Sequence, residues 1–382
     1  MLRKSIVTLL AVLAASFPAA SMAQDEAEAS AETLTWSGYE LAVFGPADRV
    51  AVSEEAGREV LSVTRTNVIL AGSQFSEGVI EFDIALDSAR GFGGILWHAS
   101  ETHSEYFYLR KHKSGLPDAG QYTPIRNGIT SWQIYTDRNG IAPFAFTEEG
   151  WNRFKLVVEG DRADIYFNGS PEPVMHIPDL AADQGSGAIG FQASGPNGVI
   201  RVSNFSMRPL SAGEGVVGTR AADRTAPDGV IERWSVSQRF AESVVEGALS
   251  MPAELGLLDT LGTLAVEPYG IADISRLTGP EENLDSVLVS TRITSDSARK
   301  VRLNFGYSDR VRLFLNGELV FDGIAQWRSR DFFFLGTIGF NDAVMLDLEE
   351  GENHLVAAVS ETFGGWGFAA AIEDGEGLVI AP

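Results

Sequence analysis

Val79-Ile-Glu-Phe-Asp-Ile-Ala-Leu86 decides the fold class. Ile80, Phe82, Ile84 and Leu86 fall on one face, with Glu81 and Asp83 between them. That period of two is a strand with one face in a core and the other in water. Runs of similar pattern recur at Glu105 to Arg110, Trp151 to Glu159, Ala188 to Gln192 and Val199 to Met207, separated by glycine-rich turns. Strands at this density, with no helical period of comparable strength, predict a sandwich or barrel beginning near Leu34.

After Val230 the pattern resumes at Ser286 to Ile293, Lys300 to Phe305, Val311 to Leu315, Glu318 to Phe321, Ala343 to Leu348 and His354 to Val359. Each half carries one Asn-Gly pair between strand-like flanks, Asn168-Gly169 and Asn316-Gly317, as a type I′ hairpin turn requires. Ser237 to Leu258 is the exception and reads as a short helix or a covering loop. Residues 209 to 229 lack a sustained apolar pattern and read as a linker. The expectation is an all-β chain of two β-sandwich (jelly-roll) domains, residues 34–208 and 230–382.

The N-terminus has the order of a secretory signal: Arg3-Lys4, an apolar run from Ile6 to Ala15, and small residues at Ser21 and Ala23. The run is far short of the roughly 20 residues that span a bilayer. Residues 1–23 are therefore read as a signal peptide and 24–33 as a disordered acidic leader, giving a periplasmic or extracellular protein with no membrane span. The chain has no cysteine, so disulfides and thiolate metal sites are excluded. Its net charge of −23 becomes −25 once the two cations of the signal leave, and disfavours nucleic acid as a partner.

Residues 34–208 resemble the concanavalin A-like, laminin-G-like sandwiches, and particularly the secreted 3-keto-disaccharide hydrolase domain family. The resemblance rests on the order of GVIEFDIAL, Gly93 to Trp97, Tyr106-Phe-Tyr-Leu-Arg110, Trp151-Asn-Arg-Phe-Lys-Leu-Val-Val, Ile165-Tyr-Phe-Asn-Gly169, Gly187-Ala-Ile-Gly-Phe-Gln192 and Val202-Ser-Asn-Phe-Ser206. It implies a fold that hosts lectins and enzymes alike. Residues 230–382 resemble a galactose-binding-like jelly roll through Leu303 to Gly317 and Leu348 to Val356.

Chemistry concentrates between Gly94 and Tyr135. A sugar presents an apolar C–H face and a rim of hydroxyls, so its site needs flat rings beside amide or guanidinium groups. Trp97, Tyr106, Tyr108, Arg110, Gln121, Tyr122, Asn127 and Trp132 supply them and form the candidate ligand set. In Glu105 to Arg110, alternation places Tyr106, Tyr108 and Arg110 on one face and Phe107 and Leu109 in the core. Binding of a poly- or oligosaccharide is the leading reading.

Cleavage is the alternative implied by the resemblance, with His98, Glu101, Glu105 and Asp118 as acid/base candidates. The run Glu81-Phe-Asp83-Ile-Ala-Leu-Asp87 has the wrong offsets for a laminarinase-type pair and reads as the wet face of a strand. No GxSxG elbow or Walker loop occurs, and no glycine run opens a helix after a strand as a Rossmann fingerprint does. The histidines lack zinc spacing, so neither metal nor cofactor is expected. Gly91-Phe-Gly93-Gly94 reads as a tight turn or bulge. A third reading has the second domain docking a protein partner, with Trp327 and Trp366 as its notable aromatics.

Overall fold

The computed structural model describes residues 34–86, 89–135, 140–147, 150–219, 226–330 and 337–382. The expected signal peptide and leader, Asp87, and part of the expected linker lie outside the described residues. The chain is all-β and divides into two compact units. The first comprises residues up to Gly128 and from Tyr135 to Ala221; the second takes Ile129–Ile134 and everything from Ala222.

The first unit is a sandwich of two antiparallel sheets. One runs Met175–Ile177, Arg162–Phe167, Asn152–Glu159, Gly78–Leu86, Val199–Arg208, Arg58–Thr64, Val50–Glu55. The other contains, in order, Thr35–Trp36, Tyr39–Phe44, Asn67–Leu70, Ala188–Ser194, Phe92–Ala99, Ser104–Leu109 and Gly120–Arg126. The alternation of the opening stretch is realised: Ile80, Phe82 and Ile84 are buried in the core. Phe82 stacks on Phe154 at 4.7 Å and meets the edge of Phe191 at 5.2 Å, so one strand's ring joins both sheets. A fully buried ring of this kind stabilises by roughly 1.5–3 kcal/mol.

On the wet face of that strand, Asp83 accepts from Arg58 at 3.0 Å and Asn204 at 2.6 Å, and Glu81 pairs with Arg153 at 3.2 Å. These carboxylates hold neighbouring strands together. Gly93 and Gly94 depart from the expected turn or bulge: both lie inside the strand Phe92–Ala99. A Cβ on Gly94 would stand 1.9 Å from the carbonyl oxygen of Phe107, and one on Gly93 would stand 2.0 Å from a methyl of Ile200. The glycines admit a close neighbouring strand and close core packing.

Residues 211 to 218, expected in the linker, are fastened to the first unit. Arg208 grips both oxygens of Glu214 at 2.6 and 2.8 Å. The backbone N–H groups of Val217 and Gly218 donate to Asp164 Oδ2 at 2.7 and 3.0 Å.

In the second unit a seven-stranded sheet (Thr260–Ala265, Arg233–Ser237, Ser286–Ser295, Gly351–Ser360, Arg310–Leu315, Glu318–Ile324, with Leu378–Ala381 on Ser286–Ser295) faces a four-stranded one. The latter runs Ala272–Asp273, Gly367–Ile372, Arg299–Ser308, Asp342–Leu348. Trp234, Phe305 and Trp366 fill the core between them. Ser237 to Leu258 is a covering loop with two 3-10 turns. It lays Phe240, Val245 and Leu255 against Leu288, Phe314 and Val356 on the outer face of the larger sheet. Asn316 and Gly317 take φ of 52° and 86°, the positive pair that a type I′ turn demands, as do Asn168 and Gly169 at 51° and 74°.

Candidate functional site

Strand register sorts the eight sugar-binding candidates into separate environments. Between Ser104–Leu109 and Gly120–Arg126, Phe107 pairs with Tyr122 and Tyr108 with Gln121. Directly opposed residues share a face. Phe107 is core, so Tyr122 is core too; Trp97 joins them with its ring 6.2 Å from that of Tyr122. Trp97 and Tyr122 are 0% and 2% exposed and belong to the sandwich interior, which corrects their reading as ligand-stacking surfaces.

Tyr106, Tyr108, Gln121 and Arg110 meet on the other face of the same sheet, beside Ile69, Leu96, Phe92 and Phe44. Tyr108 Oη donates to Gln121 Oε1 at 2.5 Å, and Arg110 Nη2 reaches the same oxygen at 3.4 Å. The Arg110 guanidinium lies over the Tyr108 ring, 5.5 Å from its centre. Phe92 sets its edge against both Tyr108 and His112, at 5.8 and 6.0 Å.

The two tyrosine rings are 3% and 7% exposed, whereas the Arg110 and Asp118 side chains are 14% and 28% exposed. Tyr106 and Tyr108 are thus walls, not open platforms, and the accessible end of the cluster is the loop from Arg110 to Asp118. Sequence alternation placed the three residues on one face; it did not show how far they are enclosed.

Three polar atoms in this cluster are buried without a hydrogen-bond partner among the described residues: Arg110 Nε, His112 Nδ1 and Gln192 Oε1; Tyr106 Oη has Ser194 beside it. Buried groups left so cost about 1–3 kcal/mol each until something satisfies them. Gln192 was not among the candidates. The signal was in the alternation, since Ile189 and Phe191 are core and Gln192 points to the opposite side.

The remaining candidates lie apart. Asn127, with Gly128, makes a turn at positive φ, 47° and 79°. Trp132 falls in the segment Ile129–Ile134 that belongs to the second unit, where its ring lies 6.0 Å from Phe363.

The four acid/base candidates do not converge. Glu101 is exposed in a turn. His98 is buried with Nε2 2.7 Å from the carbonyl of Ser76, and burial lowers its pKa. Asp118 pairs with Arg110 and Lys113, each at 3.5 Å.

Glu105 points into the interior. It accepts from Tyr122 Oη at 2.5 Å and from the Ala182 N–H at 3.0 Å, while Tyr122 Oη itself accepts from the Ala181 N–H at 2.6 Å. Burial pushes the Glu105 carboxyl up to about 7, against those hydrogen bonds and the nearby Arg126. Its role in this arrangement is to pin residues 181 and 182 to the sheet. Among the described residues no three His, Asp or Glu side chains gather as a metal site would need.

No protein-family model matches the chain, and no curated protein matches it in sequence. Among solved structures, it is similar to the carbohydrate-binding module CBM66 from Bacillus subtilis, 12% identical, covering 44% of this chain and 94% of that one at a TM-score of 0.33. The β-glucanase of Bacillus licheniformis is 11% identical, covering 47% of this chain and 95% of that one at 0.35. A Bacillus subtilis protein of galectin-like fold is 13% identical, covering 44% and 88% at 0.32.

Proposed function

We propose that this is an exported carbohydrate-binding protein whose site is the face of the first unit carrying Tyr106, Tyr108, Arg110, Gln121 and Gln192. The observation that carries the reading is the pair of buried, partnerless polar atoms there, Arg110 Nε and Gln192 Oε1, next to aromatic walls. A hydroxyl-rich ligand both donates and accepts, so it satisfies guanidinium and amide groups together. Enclosed rings limit stacking, so hydrogen bonds dominate recognition.

Binding is favoured over cleavage by the carboxylates. Glycoside hydrolysis needs two of them flanking the bond, roughly 5–10 Å apart. The described residues bring Asp118 to this cluster, while Glu105 faces the interior and Glu101 sits in an exposed turn.

The test is a glycan array followed by calorimetry on the hits. Binding should weaken at least about tenfold in Arg110→Ala and Gln192→Ala, a loss of about 1.4 kcal/mol, with melting temperatures unchanged and no reducing ends released. Absence of any glycan ligand, or turnover of a bound one, would overturn the reading.

A further inference from the structure

The chain carries 52 acidic and 29 basic residues, so a cation here has carboxylates in excess to pair with. Several arginines use them closely. Arg208 takes both oxygens of Glu214, Arg310 holds Glu242 at 2.5 Å, and Arg292 holds Glu352 at 2.5 Å. The run Arg110-Lys111-His112-Lys113 is paired more loosely than these. It concentrates four basic side chains in four residues, wound into a short 3-10 turn from Lys111 to Lys113. Arg110 and Lys113 share a single carboxylate, Asp118, and each reaches it only at 3.5 Å. A charge-assisted contact at full strength is nearer 2.7–2.9 Å.

Two further atoms of the run are unspent. Arg110 Nε and His112 Nδ1 are buried and make no hydrogen bond among the described residues. Burial, then the charges of Arg110, Arg90 and Lys113, lower the His112 pKa, with Asp118 opposing. With Arg110 and Lys113 on either side of it in the run, the ring sits in a locally positive field even though the chain as a whole is strongly negative. Such a local field, partly walled by Phe92 and Tyr108, focuses an anion.

We infer that Arg110, His112 and Lys113 form an anion subsite at the open end of the carbohydrate face, and that the ligand is an acidic sugar bearing a carboxylate or a sulfate ester. The inference rests on the carbohydrate reading above and names its substrate class. A sugar oxyanion set between Arg110 and Lys113 takes the guanidinium Nε–H that has no partner, while the neighbouring hydroxyls meet Gln121 and Gln192. A uronate and a sulfate ester share this chemistry; they differ in shape, planar against tetrahedral.

The experiment compares three trisaccharides by calorimetry at about 50 mM salt, where screening is weak: oligogalacturonate, neutral oligogalactose and a sulfated oligogalactose. At least one acidic sugar should bind about tenfold or more tighter than the neutral one, and the stronger of the two identifies the source of the charge. Lys113→Gln, on a side chain 39% exposed, should remove most of that preference and leave neutral-sugar affinity unchanged. Arg110→Gln should weaken both, the acidic sugar more, and Arg110→Lys should restore part of the preference.

Equal affinity for acidic and neutral sugars, or a preference indifferent to Lys113→Gln, would overturn the anion subsite while the carbohydrate reading stands. Failure of all three sugars to bind would overturn the anion subsite, and the absence of any glycan ligand on the array would overturn the carbohydrate reading with it.

Discussion

Tyr108 and Gln121 stand directly opposite each other on adjacent antiparallel strands, and the tyrosine hydroxyl donates to the amide oxygen at 2.5 Å. The bond fixes the amide's orientation, which leaves its nitrogen as the group presented elsewhere, and it positions the ring under Arg110. Tyr108→Phe keeps the ring and its contacts with Tyr106 and Phe92 but deletes this donor. Urea unfolding should show a loss of about 1 kcal/mol. An unchanged midpoint with an unchanged slope would mean the pair contributes nothing net.

Gly94 sits where Phe92–Ala99 passes Ser104–Leu109, paired to Tyr108 and with no room for a side chain. A Cβ there meets backbone, the Phe107 carbonyl at 1.9 Å, and backbone cannot rotate away as a side chain can. Gly94→Ala should therefore destabilise the first unit by about 2–3 kcal/mol or prevent its folding, as overpacking does. Gly57→Ala is the comparison, since a Cβ at that glycine meets nothing within 4 Å, though its φ of 76° still costs about 1 kcal/mol. Equal losses in the two variants would show that the strand separation is adjustable.

Those two positions also show what the chain reveals by itself. Alternation holds over the five residues from Ile80 to Ile84, and the strand, its core face and the face of Glu81 and Asp83 follow from it, although Val79 and Ala85 on the latter side are buried. The aromatic-rich stretch from Trp97 to Tyr135 is harder, because rings suit both a core and a binding face. Only register separates them: Tyr122 is core because it opposes Phe107, and Gln121 is not because it opposes Tyr108. Pairing between strands is a long-range fact that composition does not carry. The same holds for Trp132. Ser131 and Gln133 contact Ser275 and Ser308, more than 140 residues away, and no local pattern announces such partners.

Glu361 is buried in the second unit with Oε1 accepting from the Gly365 N–H at 3.2 Å and Oε2 without a partner among the described residues. Burial, reinforced by the like charges of Asp309 and Asp273, raises its pKa well above the usual carboxylate range. A folded-state pKa above the unfolded one means the stabilising form is the protonated one. Its contribution is complete below the ordinary carboxylate pKa and disappears as pH rises through the folded value. Glu361→Gln mimics the protonated form, so its urea midpoint should exceed that of the parent above neutrality and match it near pH 4. A variant less stable than the parent at pH 8 would show that the charged form is held favourably.

Glu105 offers a second titration with a defined window. Its carboxyl is buried and shifted up to about 7, chiefly by desolvation, although Tyr122 and Ala182 donate to it. The sign is again that of a raised carboxylate. Stability supplied by the protonated group is whole below about 4.5 and is lost between there and pH 7, and a gap of that size corresponds to about 3 kcal/mol by linkage. The melting temperature of the parent should fall across this window relative to Glu105→Gln, whose amide cannot ionise. The amide keeps an acceptor for one donor only, so the variant should start lower at pH 4.5 and the two curves should converge or cross by pH 8. Parallel curves from pH 4.5 to 8 would mean that Glu105 keeps an ordinary carboxylate pKa, and that the hydrogen bonds from Tyr122 and Ala182 fully offset its burial.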